Sequence, residues 1–189
     1  MSIIPELDKH QKRQVLLFLY DSGLINRPPI IDLAELNAER AWLSNADLRR
    51  SHLRKISLQE AILDRANLYQ ANLRNARLQN ANMDNAILVQ ANLRDSLLNN
   101  ASLRAAVLRD TDLRRADLTN ANFTEANLTD ADLRGAELKN AWFTGATLIN
   151  TDFQDVKLSN QEIINRLQNA KIINNIKLPD GSQYTSPRP

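Results

Sequence analysis

Five arginines recur at a fixed interval: Arg54, Arg74, Arg94, Arg114 and Arg134 stand 20 residues apart. Guanidinium groups in a row can hold phosphates or carboxylates through paired N–H donors. Two residues before each stands a polar residue, His52, Asn72, Asn92, Asp112 and Asp132, and Asp152 continues that series. The aspartates nearly neutralise Arg114 and Arg134, which leaves Arg54, Arg74 and Arg94 more available. The column reads either as an anion-binding ladder or as a solvated structural one, whose exposed ion pairs contribute under about 1 kcal/mol each. Acid–base chemistry has less to work with. The histidines are His10 and His52, and the nearest aspartate in the His52 series, Asp112, lies three 20-residue intervals away. A base and its orienting acid need to lie within roughly 3 Å. With no Cys, four Gly and no His, Asp and Glu at metal-ligand spacing, the chain offers no thiol nucleophile, phosphate loop or metal motif. The expectation is no catalytic residue, no cofactor and no metal.

The interval of 20 is set by a shorter one. Residues 41–160 divide into 24 pentapeptides without a slip in phase. The third residue is Leu except at Met83, Phe123, Phe143 and Phe153, and the first is Ala in 18 of the 24. Five residues of helix overshoot one turn by roughly 140°, so the leucines would scatter around the cylinder. In a strand the first and third residues share a side, but the next Ala falls on the other. The chain therefore turns once per repeat, with Leu and Ala inside and Ala at a tight corner. The arginine interval then sets four repeats per coil and a square cross-section, which makes the chain an all-β solenoid.

The tandem A-[DN]-L-x-x pattern resembles the pentapeptide-repeat family. The resemblance implies a right-handed quadrilateral β-helix. The stretch Phe18-Leu19-Tyr20-Asp21-Ser22-Gly23-Leu24-Ile25 is also similar to a segment that precedes the repeats in some cyanobacterial members. Members that protect DNA gyrase are acidic, rod-shaped DNA mimics, so a gyrase regulator is one function the resemblance implies. Charge argues against it. Residues 41–100 carry eight Lys/Arg against five Asp/Glu, and 101–160 carry seven against nine, with no continuous acidic face.

At 189 residues the chain reads as one domain. Its net charge of +2 is too small to imply a nucleic-acid or membrane partner. No apolar run approaches the roughly 20 residues of a membrane span, and the N-terminus lacks the pattern of a secretory signal. A cytoplasmic location is expected.

Four segments are expected. Residues 1–30 form an N-terminal helical cap and linker, the helix running over 5–21 from Pro5 to a stop at Gly23. Leu7, Val15, Phe18 and Leu19 make its inner face, widened by Leu16, Leu17 and Tyr20. Solenoid ends expose unpaired backbone groups, so the helix reads as a cap on the first coil, with partner docking as the alternative. Residues 31–160 form the β-helix, with two degenerate lead-in repeats at Ile31-Asp32-Leu33 and Leu36-Asn37-Ala38. Residues 161–181 form a C-terminal helical cap and turn, opened by a Ser159/Glu162 capping box. Residues 182–189 are expected to be a disordered tail.

The expected function is that of a non-enzymatic rigid scaffold or interaction module for a macromolecular partner, most plainly a protein. The outward residues Tyr69, Ile87, Val89 and Val107 are apolar where the repeat normally carries Asn, Asp or Arg. Such contiguous apolar residues can mark a binding site, or reflect β-propensity alone. Homodimerisation through an end or an apolar face, and anion or nucleic-acid binding along the arginine ladder, stand as alternatives.

Overall fold

The computed structural model describes residues 7–25 and 36–186. From Asn37 onward the second residue of each repeat forms a parallel bridge with the residue 20 positions later: Asn37 with Ser57, Trp42 with Ile62, Asp47 with Asn67, His52 with Asn72, and so on to Asp132 with Asp152. Each 20-residue coil thus contributes to four columns of bridges, called here the Asn37, Trp42, Asp47 and His52 columns.

The backbone accounting explains why the ladder is made of single bridges. The N–H of a third residue donates to the second residue of the next coil (Leu43 to Ile62, 2.7 Å). That of a second residue donates to the first residue of the preceding coil (Ile62 to Ala41, 3.0 Å), and that of a fifth to the fourth of the next (Asn45 to Asp64, 3.0 Å). The N–H of the first residue closes a turn on the preceding Leu (Ala46 to Leu43, 3.0 Å). In that turn every fifth residue from Arg40 to Asp155 is left-handed, with φ between 51° and 62° at the non-glycines. A positive φ at the second central position is what a type II turn requires. The bend therefore sits on the fourth and fifth residues, not on the Ala. Asn, which tolerates this conformation, recurs at the fifth position, and Gly135 and Gly145 fall there too. A turn at every repeat leaves no room for long strands.

One N–H per repeat remains, that of the fourth residue. Every Asn or Asp at a second position between Asn37 and Asp152 accepts a hydrogen bond from it, as Asn67 does from Tyr69 (3.2 Å) and Asn122 from Thr124 (2.9 Å). The polar second position is thus a backbone cap rather than a solvent-facing filler.

Inside, the Leu and Ala columns are buried from Leu36 to Phe153. Larger side chains gather at the C-terminal end. Phe123 and Phe143 stack at 5.2 Å between ring centroids, and Phe153 meets Phe143 edge-on at 6.2 Å.

Helix α1 (Lys9–Asp21) lies over the first coil. It starts later than expected because Asp8 and Gln11 form a reciprocal capping box; Pro5 and the Arg27-Pro28-Pro29 linker lie outside the described residues. Gly23 (φ 70°) ends it as expected, with the N–H groups of Gly23 and Leu24 donating to Tyr20 and Leu19. Its inner face is Leu16, with Leu17, Leu19 and Tyr20 partly buried beside it, whereas Phe18 points to solvent at 65% exposure. Basic side chains cap the ladder. Arg13 Nη1 donates to the carbonyls of Trp42 and Ser44 (both 3.2 Å), and Lys12 Nζ to that of Glu39 (3.1 Å). In later coils such carbonyls accept from the coil before. Arg13→Met keeps the stem but removes both bonds, and is expected to cost about 1–3 kcal/mol in a urea melt. Removing residues 1–24 should leave the repeats folded but associating, as read by light scattering. A monodisperse, equally stable truncated chain would contradict the capping role.

At the other end strand β1 (Thr147–Ile149) precedes helix α2 (Asn160–Arg166), which Ser159 and Glu162 cap reciprocally as expected. Ile163 and Leu167 are fully buried over the last coil. Strand β2 (Ile172–Asn174) then pairs parallel with β1 and continues the ladder. The expected disordered tail 182–189 is corrected over its described part. Strand β4 (Gln183–Tyr184) pairs antiparallel with β3 (Ile176–Lys177) across the Pro179-Asp180-Gly181 turn. The N–H of Ser186 also donates to Ile173. Residues 161–181 thus hold most of α2, then β2, β3 and the turn.

Candidate interaction surfaces

The apolar group lies on the Asp47 column. Ile87 bridges Val107 directly and is 39% exposed. Tyr69, Val89 and Val107 are half-buried. Tyr69 lies beside Gln90, its hydroxyl 3.5 Å from Oε1, and the Arg50 guanidinium sits 6.0 Å from its ring centroid. Ile87 and Val107 occupy second positions, so in two consecutive coils the side chain that would cap the N–H of Val89 or Arg109 is replaced by a hydrocarbon. Two arginines flank the patch. Arg49 is held by Asp47 through Nε (2.8 Å) and Nη2 (2.6 Å). Arg109 is exposed and, among the described residues, makes no ion pair.

A second apolar pair, Trp42 bridged to Ile62, belongs to the N-terminal cap instead. Lys9 Nζ sits 3.7 Å from the Trp42 ring centroid and His10 packs edge-on at 4.5 Å. Trp142 is 57% exposed, and Leu97 projects from the Asn37 column.

The arginine column is two structures. In the lower coils each guanidinium is clasped by the Asp two residues before it. Asp112 accepts from Arg114 Nε (2.8 Å) and Nη2 (2.6 Å), and Asp132 accepts from Arg134 likewise (2.9 and 2.6 Å). Burial pushes the Asp112 carboxyl up, but the bonds from the Arg114 side chain and N–H outweigh it and hold it below the usual range. Its contribution to stability is therefore present above the ordinary carboxylate pKa and lost as pH falls through the lowered one. In the upper coils Arg74 and Arg94 are not simply available, as the column alone suggests. Both reach Asp95, at 3.2 and 3.5 Å. Asp95 stands at a fifth position, outside the column, and also takes Arg115 Nε (2.6 Å). Arg54 is exposed and, among the described residues, has no ion pair.

Among the described residues no group of three or more His, Asp or Glu could hold a metal ion. No helix there is long and apolar enough to cross a membrane.

The family described as pentapeptide repeats matches in eight copies over residues 51–88, 86–124 and 121–160, more than half of the chain. A comparison with curated proteins finds no match. Among solved structures, the pentapeptide-repeat protein Rfr23 of the cyanobacterium Cyanothece 51142 is 35% identical over 47% of this chain, with a TM-score of 0.46. This chain spans 60% of Rfr23. HetL of Nostoc sp. strain PCC 7120, a pentapeptide-repeat protein involved in heterocyst differentiation regulation, is 27% identical over 89% of this chain and 98% of its own, with a TM-score of 0.39. The plasmid-mediated fluoroquinolone resistance protein QnrB1 is 16% identical over 79% of this chain and 87% of its own, with a TM-score of 0.34.

Proposed function

The chain belongs to the pentapeptide-repeat family, whose members fold as right-handed quadrilateral β-helices, and on that premise we propose that it is a non-enzymatic interaction module. It presents the Tyr69, Ile87, Val89 and Val107 surface to a protein partner in the cytoplasm. One observation carries this reading: Ile87 and Val107 take consecutive bridged positions where the fold uses Asn or Asp to cap a backbone N–H. The substitution gives up two hydrogen bonds and places apolar surface in water. A rigid sheet also lowers the ordering cost of binding, and Tyr is enriched among residues that dominate binding energy.

The test is the double change Ile87→Asn with Val107→Asn. Each Asn supplies the missing acceptor, so stability is expected to hold or to rise by up to about 1 kcal/mol per site. Recovery of the partner in affinity capture from native lysate should fall at least about tenfold. Unchanged recovery by the well-folded variant would remove the surface from consideration. The gyrase-directed DNA mimic is the reading that charge opposes, since the His52 column carries arginines in five successive coils. A supercoiling assay with purified gyrase separates the two: a change in supercoiling on adding this protein would favour the mimic.

A further inference from the structure

We propose that the upper part of the His52 column, Arg54, Arg74 and Arg94, binds an acidic polypeptide segment. The inference rests on the interaction-module reading and names the chemistry of the partner. It starts from the difference between the two halves of the column. Below, Asp112 and Asp132 each take both the Nε and an Nη of their arginine. Above, Asn72 and Asn92 stand at the same positions, and their carbonyl oxygens accept from the N–H groups of Arg74 (3.3 Å) and Arg94 (3.1 Å). An amide has one acceptor oxygen and no charge, so it cannot clasp a guanidinium fork as a carboxylate does. The Nε of Arg74 is accordingly buried without a hydrogen-bond partner, and that of Arg94 makes no hydrogen bond either, its nearest carboxylate oxygen being Asp95 Oδ2 at 3.5 Å.

The carboxylate these arginines reach is Asp95, and it is oversubscribed. It faces Arg74, Arg94 and Arg115 at once, with only 13% of its side chain exposed. Asp112, the other carboxylate that Arg94 acts on, is already clasped by Arg114, so a cationic excess remains, which exposed Arg54 and Lys55 extend at the top of the column. Anionic oxygens arriving from solvent meet the outer guanidinium edges. Turning a fork toward them brings its Nε out to an acceptor.

Two features favour carboxylates on a polypeptide over a nucleic-acid backbone. The first is the neighbourhood. Tyr69 and Val89 stand three residues before Asn72 and Asn92, across one corner, so an occupant of the arginines also meets apolar side chains. Single strands are bound by aromatic stacking platforms along a basic groove, and here β-branched residues outnumber the one Tyr. The second is size. Coils are stacked about 4.8 Å apart, so three arginines span roughly 10 Å, and same-side side chains of an extended chain recur about every 7 Å. Two successive same-side carboxylates fit that span.

The experiment is fluorescence anisotropy on the full chain. The probes are a labelled Glu-rich peptide containing Leu, a single-stranded oligothymidylate of equal charge, and inorganic tripolyphosphate as a competitor. The peptide is expected to bind, more weakly as salt rises, and tighter than the oligothymidylate. The informative variant is Asn72→Asp with Asn92→Asp. It installs in the upper coils the internal clasp of the lower ones, so its melting temperature should hold or rise while peptide affinity falls at least about tenfold. Arg134→Gln should leave affinity unchanged. Absence of peptide binding, tighter binding of the oligothymidylate, or full affinity in the Asn-to-Asp variant would each overturn the proposal. If Ile87→Asn with Val107→Asn loses the native partner while the Asn-to-Asp variant keeps it, the interaction module stands and the arginine site falls.

Discussion

Phe143→Ala is expected to destabilise the protein by about 3–5 kcal/mol, the range for removing a fully buried aromatic side chain. Phe143 is 1% exposed, stacks on Phe123 and takes Phe153 on its edge. The three rings fill the last coils where α2 closes the end. A cavity there cannot be filled by moving one coil inward, because the ladder fixes each coil to both neighbours: the Phe123 N–H donates to Trp142 and the Trp142 N–H to Ala121. Phe143→Leu restores the residue most repeats use and should cost less than about 1.5 kcal/mol. The measurement is urea denaturation followed by circular dichroism. Equal losses in the two variants would mean that the end of the core collapses around whatever is placed there.

The phase of the repeats and their inward residues were legible, because a period of five with Leu and Ala at fixed places admits few backbone paths. The coil of four repeats was legible from the arginine interval alone. What stayed hidden were the roles of polar atoms. An Asn at a second position reads as a side chain that merely meets water, yet Asn92 caps the N–H of Arg94. The enrichment of Asn and Asp there was itself the signal, since a backbone N–H left over by the ladder needs an acceptor nearby. Asp95 was missed as the partner of Arg74 and Arg94 because a column reading compares only residues in one register, whereas side chains as long as Arg reach across a corner. Three- and four-residue spacing puts Phe18 inward but identifies a face without saying which one meets the core; Leu16 meets it and Phe18 faces solvent. The expected disordered tail is ordered over its described part. Its pairing with Ile176 and Lys177 depends on a hairpin that two strand residues on each side barely announce.

Ala91→Leu is expected to cost about 1–3 kcal/mol or more, for the opposite physical reason to Phe143→Ala. Ala91 is 1% exposed and lies mid-stack, in a column of first residues that runs Ser51, Ala71, Ala91, Thr111, Ala131 and Thr151. Its carbonyl accepts from Asp112, and the Asn92 N–H donates to Ala71. The backbone is thus held from both sides, and moving it aside for a larger side chain stretches bonds in two coils. The chain shows what the space does accept. Thr111 Oγ1 donates to the Leu88 carbonyl (2.9 Å), and Ser51 and Ser96 bond Leu48 and Leu93. Bulky first residues, Leu36, Ile56 and Val156, occur only near the ends of the stack. Ala91→Ser should therefore be nearly neutral, while Ala91→Leu should shift the urea midpoint sharply at an unchanged slope. If the two variants melt together, the small first residue is not set by packing between coils, and the requirement must come from the turn that precedes it.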